Sequence, residues 1–269
     1  MVFGRGPKPP HFYAMITQPI ALVTGASSGI GAATAKVLAE MGYALIVCGR
    51  RKERLEALCA ELPAGTPSRL LTFDVRERAQ VEAAWQELPE DWQKVQLLVN
   101  NAGNAHGLDP IHRGAVEDWD AMLDGNVKGL LYVSKVVLPG MVAREQGMVI
   151  NIGSIAGKEV YPNGNVYCAS KHAVDALTQG MRMDLNPYNI RVVGIHPGLV
   201  ETEFSQVRFK GDAARSEAVY KGYAPLRAED VADTIAFVVS RPPHVVLADI
   251  TILPTAQASA GIVKKNAQT

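Results

Sequence analysis

The stretch over residues 20–42, IALVTGASSGIGAATAKVLAEMG, narrows the choice of fold more than any other. IALVT is a short apolar run that reads as a buried strand. Gly25, Gly29 and Gly31 then punctuate a turn, and Ala32, Ala35, Leu38 and Met41 follow at helical spacing until Gly42. Strand, glycine turn and helix in succession is the setting of a dinucleotide-binding loop. Glycines let the backbone approach a pyrophosphate, and the helix N-terminus offers it unpaired N–H groups. Ser27 and Ser28 add hydroxyl donors.

The same alternation runs through the chain. Apolar runs at 44–49, 69–74, 95–100, 147–152, 190–197 and 246–254 read as six further strands, with helical patterns between them. This predicts an α/β fold, a doubly wound parallel sheet of seven strands with helices on both faces. No shift in composition marks a second domain, so residues 20–269 are read as one unit. Residues 1–19, with four prolines and no apolar core, are read as a flexible N-terminal arm or as an upstream start before Met15. Lys+Arg and Asp+Glu number 27 each, which points away from nucleic-acid and anionic-membrane partners. No run approaches the ~18–20 consecutive apolar residues of a membrane span. Cys48, Cys59 and Cys168 lack metal-type spacing, so no metal is expected, and they read as reduced thiols of a cytoplasmic protein.

A second constellation carries chemistry. Ser154 follows the strand at 147–152, and Tyr167 and Lys171 lie i and i+4 on the helix that begins near Val166. A phenol near an ammonium is expected to have a lowered pKa and to move protons near neutrality, while a serine hydroxyl steadies the same reacting oxygen. After the second strand come Arg50 and Arg51, where an NAD-binding loop would carry an acid for the ribose hydroxyl. Two guanidinium groups suit a 2′-phosphate and predict NADP(H), with Arg50 placed ahead of Arg51. Asp74 and Val75 end the third strand, where the adenine would rest. Asn100, Asn101, Ala102 and Gly103 end the fourth, holding the sheet mouth or simply making a turn. The region 115–145 reads as two helices, or one broken near Gly125, with Asn126 at the break. Residues 200–225 are polar and read as a lid.

TGASSGIG at 24–31, NNAG at 100–103, Asn126, Ser154, YCASK at 167–171 and PGLVET at 197–202, in this order, resemble the short-chain dehydrogenase/reductase family over roughly residues 20–258. The resemblance implies a Rossmann fold, bound NADP(H) and a homotetramer. It implies Tyr167 as acid/base, Lys171 as the group that holds the nicotinamide ribose and lowers the tyrosine pKa, Ser154 on the substrate oxygen, and Asn126 in a water-linked proton path. Cofactor contacts are carried to Gly25, Ser27, Ser28, Gly29, Ile30, Gly31, Arg50, Arg51, Asp74, Val75, Asn101, Ala102, Gly103, Tyr167, Lys171, Pro197, Gly198, Val200 and Thr202. VETEFSQVRFKGD and PTAQASAG look like the NADP-dependent 3-hydroxy acid dehydrogenases, which act on L-serine, L-allo-threonine or 3-hydroxypropionate, or reduce malonic semialdehyde. A small anionic hydroxy acid or aldehyde is therefore the expected substrate. Arg208 is its candidate anchor, with Tyr161 and Gln257 as weaker ones beside Ser154 and Tyr167. The alternatives are a sulfoacetaldehyde reductase and, from another class, a non-catalytic NADP-binding sensor or scaffold.

Overall fold

The structure, a computed structural model, describes residues 16–266. The first fifteen residues of the expected arm lie outside the described residues. Ile16, just inside them, packs half-buried beneath the sheet.

Seven strands form one all-parallel sheet: β1 (Ile20–Thr24), β2 (Ala44–Gly49), β3 (Ser68–Thr72), β4 (Val95–Asn100), β5 (Gly147–Ile152), β6 (Ile190–Pro197) and β7 (Asp249–Ile252). Their order is β3-β2-β1-β4-β5-β6-β7, a Rossmann sheet. Side chains alternate across a strand, so each central strand feeds two cores. Ala21, Val23, Leu45 and Val47 face one layer, formed with α1 (Gly29–Glu40), α2 (Lys52–Glu61) and the later helix α9 (Ala228–Val239). Ile20, Leu22, Ile46 and Cys48 face the other, with α3 (Arg78–Gln86), α5 (Gly129–Ala143) and α6 (Asn165–Leu185). Burial on both faces is why these strands read as near-continuous apolar runs.

Strand order reverses between β1 and β4, and an open α/β sheet binds ligands at that crevice, beyond the strand C-termini. The register delivers the functional segments there. Val23 pairs with Val99, Asn100 with Asn151, and Ile152 with Ile195. Asn101, Gly153 and His196 therefore emerge at the same edge. A buried polar network pins that edge. Asn100 Nδ2 donates to Asn151 Oδ1 at 2.9 Å and to Ser134 Oγ at 3.1 Å, and Asn151 Nδ2 donates to Thr178 Oγ1 at 3.0 Å.

Two segments gain detail over the sequence reading. Residues 115–145 form two helices that meet near Gly125, as read. Here α4 (Val116–Leu123) runs into α5 through a wide π-turn over 124–128, and Asn126 lies in that turn. The expected lid contains two helices, α7 (Phe204–Arg208) and α8 (Ala213–Tyr220). A single bridge, Val200–Leu226, closes its base.

Candidate active site

The glycine turn joins β1 to α1. Gly25 has φ +66°, and a Cβ there would lie 2.9 Å from Ala102 Cα. A Cβ on Gly31 would lie 2.4 Å from the Gly25 carbonyl oxygen. Gly31→Ala should lower stability by about 2–4 kcal/mol, read as a shift in urea midpoint, because backbone rather than a flexible side chain blocks the methyl. Thr24 Oγ1 accepts from the N–H groups of Asn101 and Ala102, both at 3.0 Å, which locks the end of β4 to the loop. Ser28 stands at the N-cap of α1, but its side chain makes no capping bond. The first-turn N–H groups remain available to an anion, and the glycines leave room for it, so the loop fits a pyrophosphate.

Of the two arginines, Arg51 faces this loop. Its Nη2 donates to Ser28 Oγ at 2.7 Å and to Ser27 Oγ at 3.0 Å, and its Nη1 donates to Glu203 at 2.8 Å. Arg50 is exposed and lies 3.6 Å from Asp74. Asp74 is bound more closely by Arg76, at 2.7 Å. Although partial burial opposes it, hydrogen bonds from Arg76 and the charges of Arg76 and Arg50 hold the Asp74 carboxyl below its usual range. The Val75 side chain packs beneath Gly129 at the start of α5. Among the expected cofactor residues after β6, Thr202 lies over Gly29 and Val200 is buried beside the bridge to Leu226.

Ser154, Tyr167, Lys171 and Asn126 are all buried at the sheet mouth. Ser154 Oγ accepts from Ala156 N at 3.1 Å, which leaves its one hydroxyl proton free to donate beside Tyr167. Phe204 lies edge-on to the Tyr167 ring, with centroids 5.6 Å apart. Lys171 is 6% exposed and donates to the Ile152 carbonyl at 2.9 Å. Burial pushes its pKa down to about 8.

The expected lowering of the Tyr167 pKa is not found. Burial raises it, Tyr161 adds to the rise, and the Ser154 hydrogen bond and Arg208 only partly oppose it. Lys171 is turned toward the Ile152 carbonyl and burial weakens its hold on its proton, so the pair's electrostatics differ from those of an exposed i, i+4 pair.

Asn126 is committed at both ends of its amide. Oδ1 accepts from Asn104 N at 2.7 Å, while Nδ2 donates to Asn104 O at 2.8 Å and to Ser170 Oγ at 2.9 Å. It thereby braces the loop after β4 against the catalytic helix.

Arg208, at the end of α7, sits over the rings of Tyr161 and Tyr167 at 5.5 and 5.7 Å. Gly107 N donates to Arg208 O at 3.0 Å and Arg208 Nε donates to Gly107 O at 3.2 Å, tying the helix to the loop after β4. Arg208 Nη2 is buried with no hydrogen-bond partner among the described residues. A shallow cleft beside it, open to solvent, is lined by His106, Asp109, Trp119, Asn163, Tyr167 and Arg208. Burial lowers the His106 pKa and favours neutral imidazole there. Gln257 does not reach this cleft. Its Oε1 accepts from Leu199 N at 2.8 Å and its Nε2 donates to Ser259 O at 3.1 Å, so it pins the turn at Pro197 and Gly198 to the tail.

Sequence reasoning assigned no role to His106, Trp119, Phe204 and Glu203, although Glu203 and Phe204 lie within the quoted VETEFSQVRFKGD run. Asp175, His196 and Asp249 also cluster with metal-ligating atoms together, but the Lys158 ammonium pairs with both carboxylates.

A family profile described as short chain dehydrogenase matches residues 19–213. The NADP-dependent 3-hydroxy acid dehydrogenase YdfG of Escherichia coli (strain K12) is 44% identical over 244 residues, covering 90% of this chain and 98% of that protein. Sulfoacetaldehyde reductase 2 of Chromohalobacter salexigens is 42% identical over 240 residues, covering 89% and 95%. Among solved structures, the closed form of a serine dehydrogenase complexed with NADP+ superposes with a TM-score of 0.86 at 43% identity, covering 92% of this chain and 100% of that one. With the sheet order, the glycine turn and the Ser154–Tyr167–Lys171 group in place, the chain belongs to the short-chain dehydrogenase/reductase family.

Proposed function

We propose that this protein is an NADP(H)-dependent oxidoreductase that interconverts a small 3-hydroxy acid and its semialdehyde or 3-oxo acid. One observation carries the acid specificity: a buried guanidinium N–H of Arg208 without a protein partner, beside the Tyr167 ring. A carboxylate in the cleft would satisfy it with a charge-assisted hydrogen bond. The kinship with 3-hydroxy acid dehydrogenases supports the same substrate class.

The glycine turn and the N-terminus of α1 would hold the pyrophosphate, and Arg51, with Ser27 and Ser28, the 2′-phosphate. The nicotinamide, when bound, supplies the hydride chemistry. In reduction Tyr167 gives its proton to the carbonyl oxygen while Ser154 donates a hydrogen bond to it. In oxidation Tyr167 takes the hydroxyl proton. Lys171 would hold the nicotinamide ribose, and Asn126 keeps loop and helix in register. The intact Ser154–Tyr167–Lys171 set argues for turnover over a sensor or scaffold role. The same reading extends to a cytoplasmic homotetramer without nucleic-acid or membrane partners, associated through exposed apolar residues such as Leu123, Leu131 and Met183. Sedimentation should give four times the mass of one chain.

The test is NADPH oxidation with malonic semialdehyde, sulfoacetaldehyde and propanal, with NADH in parallel. The anions should exceed propanal by about 10–100-fold in kcat/KM, the equivalent of one charge-assisted hydrogen bond, and Arg208→Gln should erase that margin. Equal rates with propanal would sink the acid-substrate reading. The ratio of the two anions decides between carboxylate and sulfonate, since the guanidinium fork suits both.

A further inference from the structure

Glu203 immediately precedes α7 and reaches the turn after β2, 152 residues earlier in the chain. Its carboxylate accepts from Arg51 at 2.8 Å and from Arg54. Arg51 is the guanidinium assigned above to the 2′-phosphate together with Ser28, to which it also donates, so one internal anion already engages it. A phosphate monoester carries about −1.5 to −2 charges at neutral pH and repels a carboxylate held at the same guanidinium. The two ion pairs are partly exposed, with side-chain exposures of 34–49%, and solvent screens such pairs. They are weak enough to be exchanged for a stronger anion.

We propose that Glu203 competes internally for the 2′-phosphate donors, and that its displacement couples cofactor binding to the substrate cleft through α7. The helix has five residues and spans about 7.5 Å. Phe204 at its start touches Tyr167, and Arg208 at its end lines the cleft. A shift at Glu203 is therefore transmitted over little more than one turn to the residues that face substrate, and the coupling is reciprocal. The proton plays no part near neutrality. Hydrogen bonds from Arg54 and Arg51 hold the Glu203 carboxyl down at about 2, so only a rival anion opens the clasp.

This inference rests on the NADP reading, and the test separates the two. Calorimetric titration of the full-length protein with adenosine 2′,5′-bisphosphate and with 5′-AMP is compared between wild type and Glu203→Gln, an isosteric neutral change at a partly exposed position. The variant should bind the bisphosphate about three- to tenfold more tightly and 5′-AMP unchanged. In hydrogen exchange, peptides over 203–210 should exchange faster in wild type with the bisphosphate but not with 5′-AMP, and faster in the variant without ligand. Unchanged or weaker bisphosphate binding by the variant, or the same exchange with both ligands, would overturn the clasp. Equal wild-type affinity for the two nucleotides would instead overturn the 2′-phosphate assignment, and the clasp with it.

Discussion

Tyr167→Phe lowers kcat by about 10²–10⁴-fold, the range lost with a general acid, and leaves NADPH affinity within about twofold. The change removes one oxygen. The ring keeps its edge contact with Phe204 and its place beneath Arg208, so packing is retained. Burial holds the Tyr167 pKa above its ordinary 10, so the group is fully protonated at neutral pH and ready as the acid of the reductive direction. Reduction should be flat from pH 6 to 7, below the Lys171 titration, whereas oxidation, which needs phenolate, should climb with pH. The stability sign follows from the same shift. The folded state holds the phenolic proton to higher pH than the unfolded state, so this group's contribution is complete below pH 10 and declines above it. Tyr167→Phe should lose less stability than wild type between pH 10 and 11. Unchanged turnover in this variant would remove Tyr167 as the acid, whereas unchanged cellular function would favour the scaffold reading.

Lys171→Met removes turnover, by about 10²–10³-fold, yet raises stability at pH 7. Methionine fills a similar volume without a charge to desolvate. The Lys171 pKa falls from 10.5 to about 8 through burial, a penalty on the order of 3 kcal/mol for the charged form. The Ile152 carbonyl loses its ammonium donor, which returns about 1–2 kcal/mol of that gain. Below pH 8 both folded and unfolded wild type carry the proton and the penalty is complete. Between pH 8 and 10.5 the folded state releases it first, so wild-type stability rises with pH. The variant's net advantage of about 1–2 kcal/mol at pH 7 should therefore reverse by pH 10.5 in urea titrations, because the wild type gains about 3 kcal/mol over that range. Loss of stability at pH 7 would show that Lys171 holds the fold rather than the reaction.

The seven strands, the glycine turn and the placement of Ser154, Tyr167 and Lys171 were legible because each is a local property. Period 2 against period 3.6, a glycine where a methyl would meet backbone, and an i, i+4 pair on one helix can all be read along the chain. Asn126 was located, but its role was not. The π-turn that carries it reads as a break, because a glycine in a helical run has the same signature either way. That Arg51 rather than Arg50 reaches the glycine loop could not be read, since neighbours on a turn point to different sides and only the position of Ser28 distinguishes them.

The fold class, the family and the proposed reacting groups were all readable along the chain. Tertiary structure alone decided what surrounds them. Arg208 meets Gly107 across 101 residues, Glu203 meets Arg51 across 152, and Gln257 is drawn to Leu199 across 58. It also set the sign of the Tyr167 shift, because desolvation depends on everything packed around a phenol, whereas the spacing of a lysine along a helix is only one neighbour. Backbone periodicity is written into adjacent residues, but the partner of a side chain at the sheet mouth is chosen by the summed packing of segments far apart in the chain.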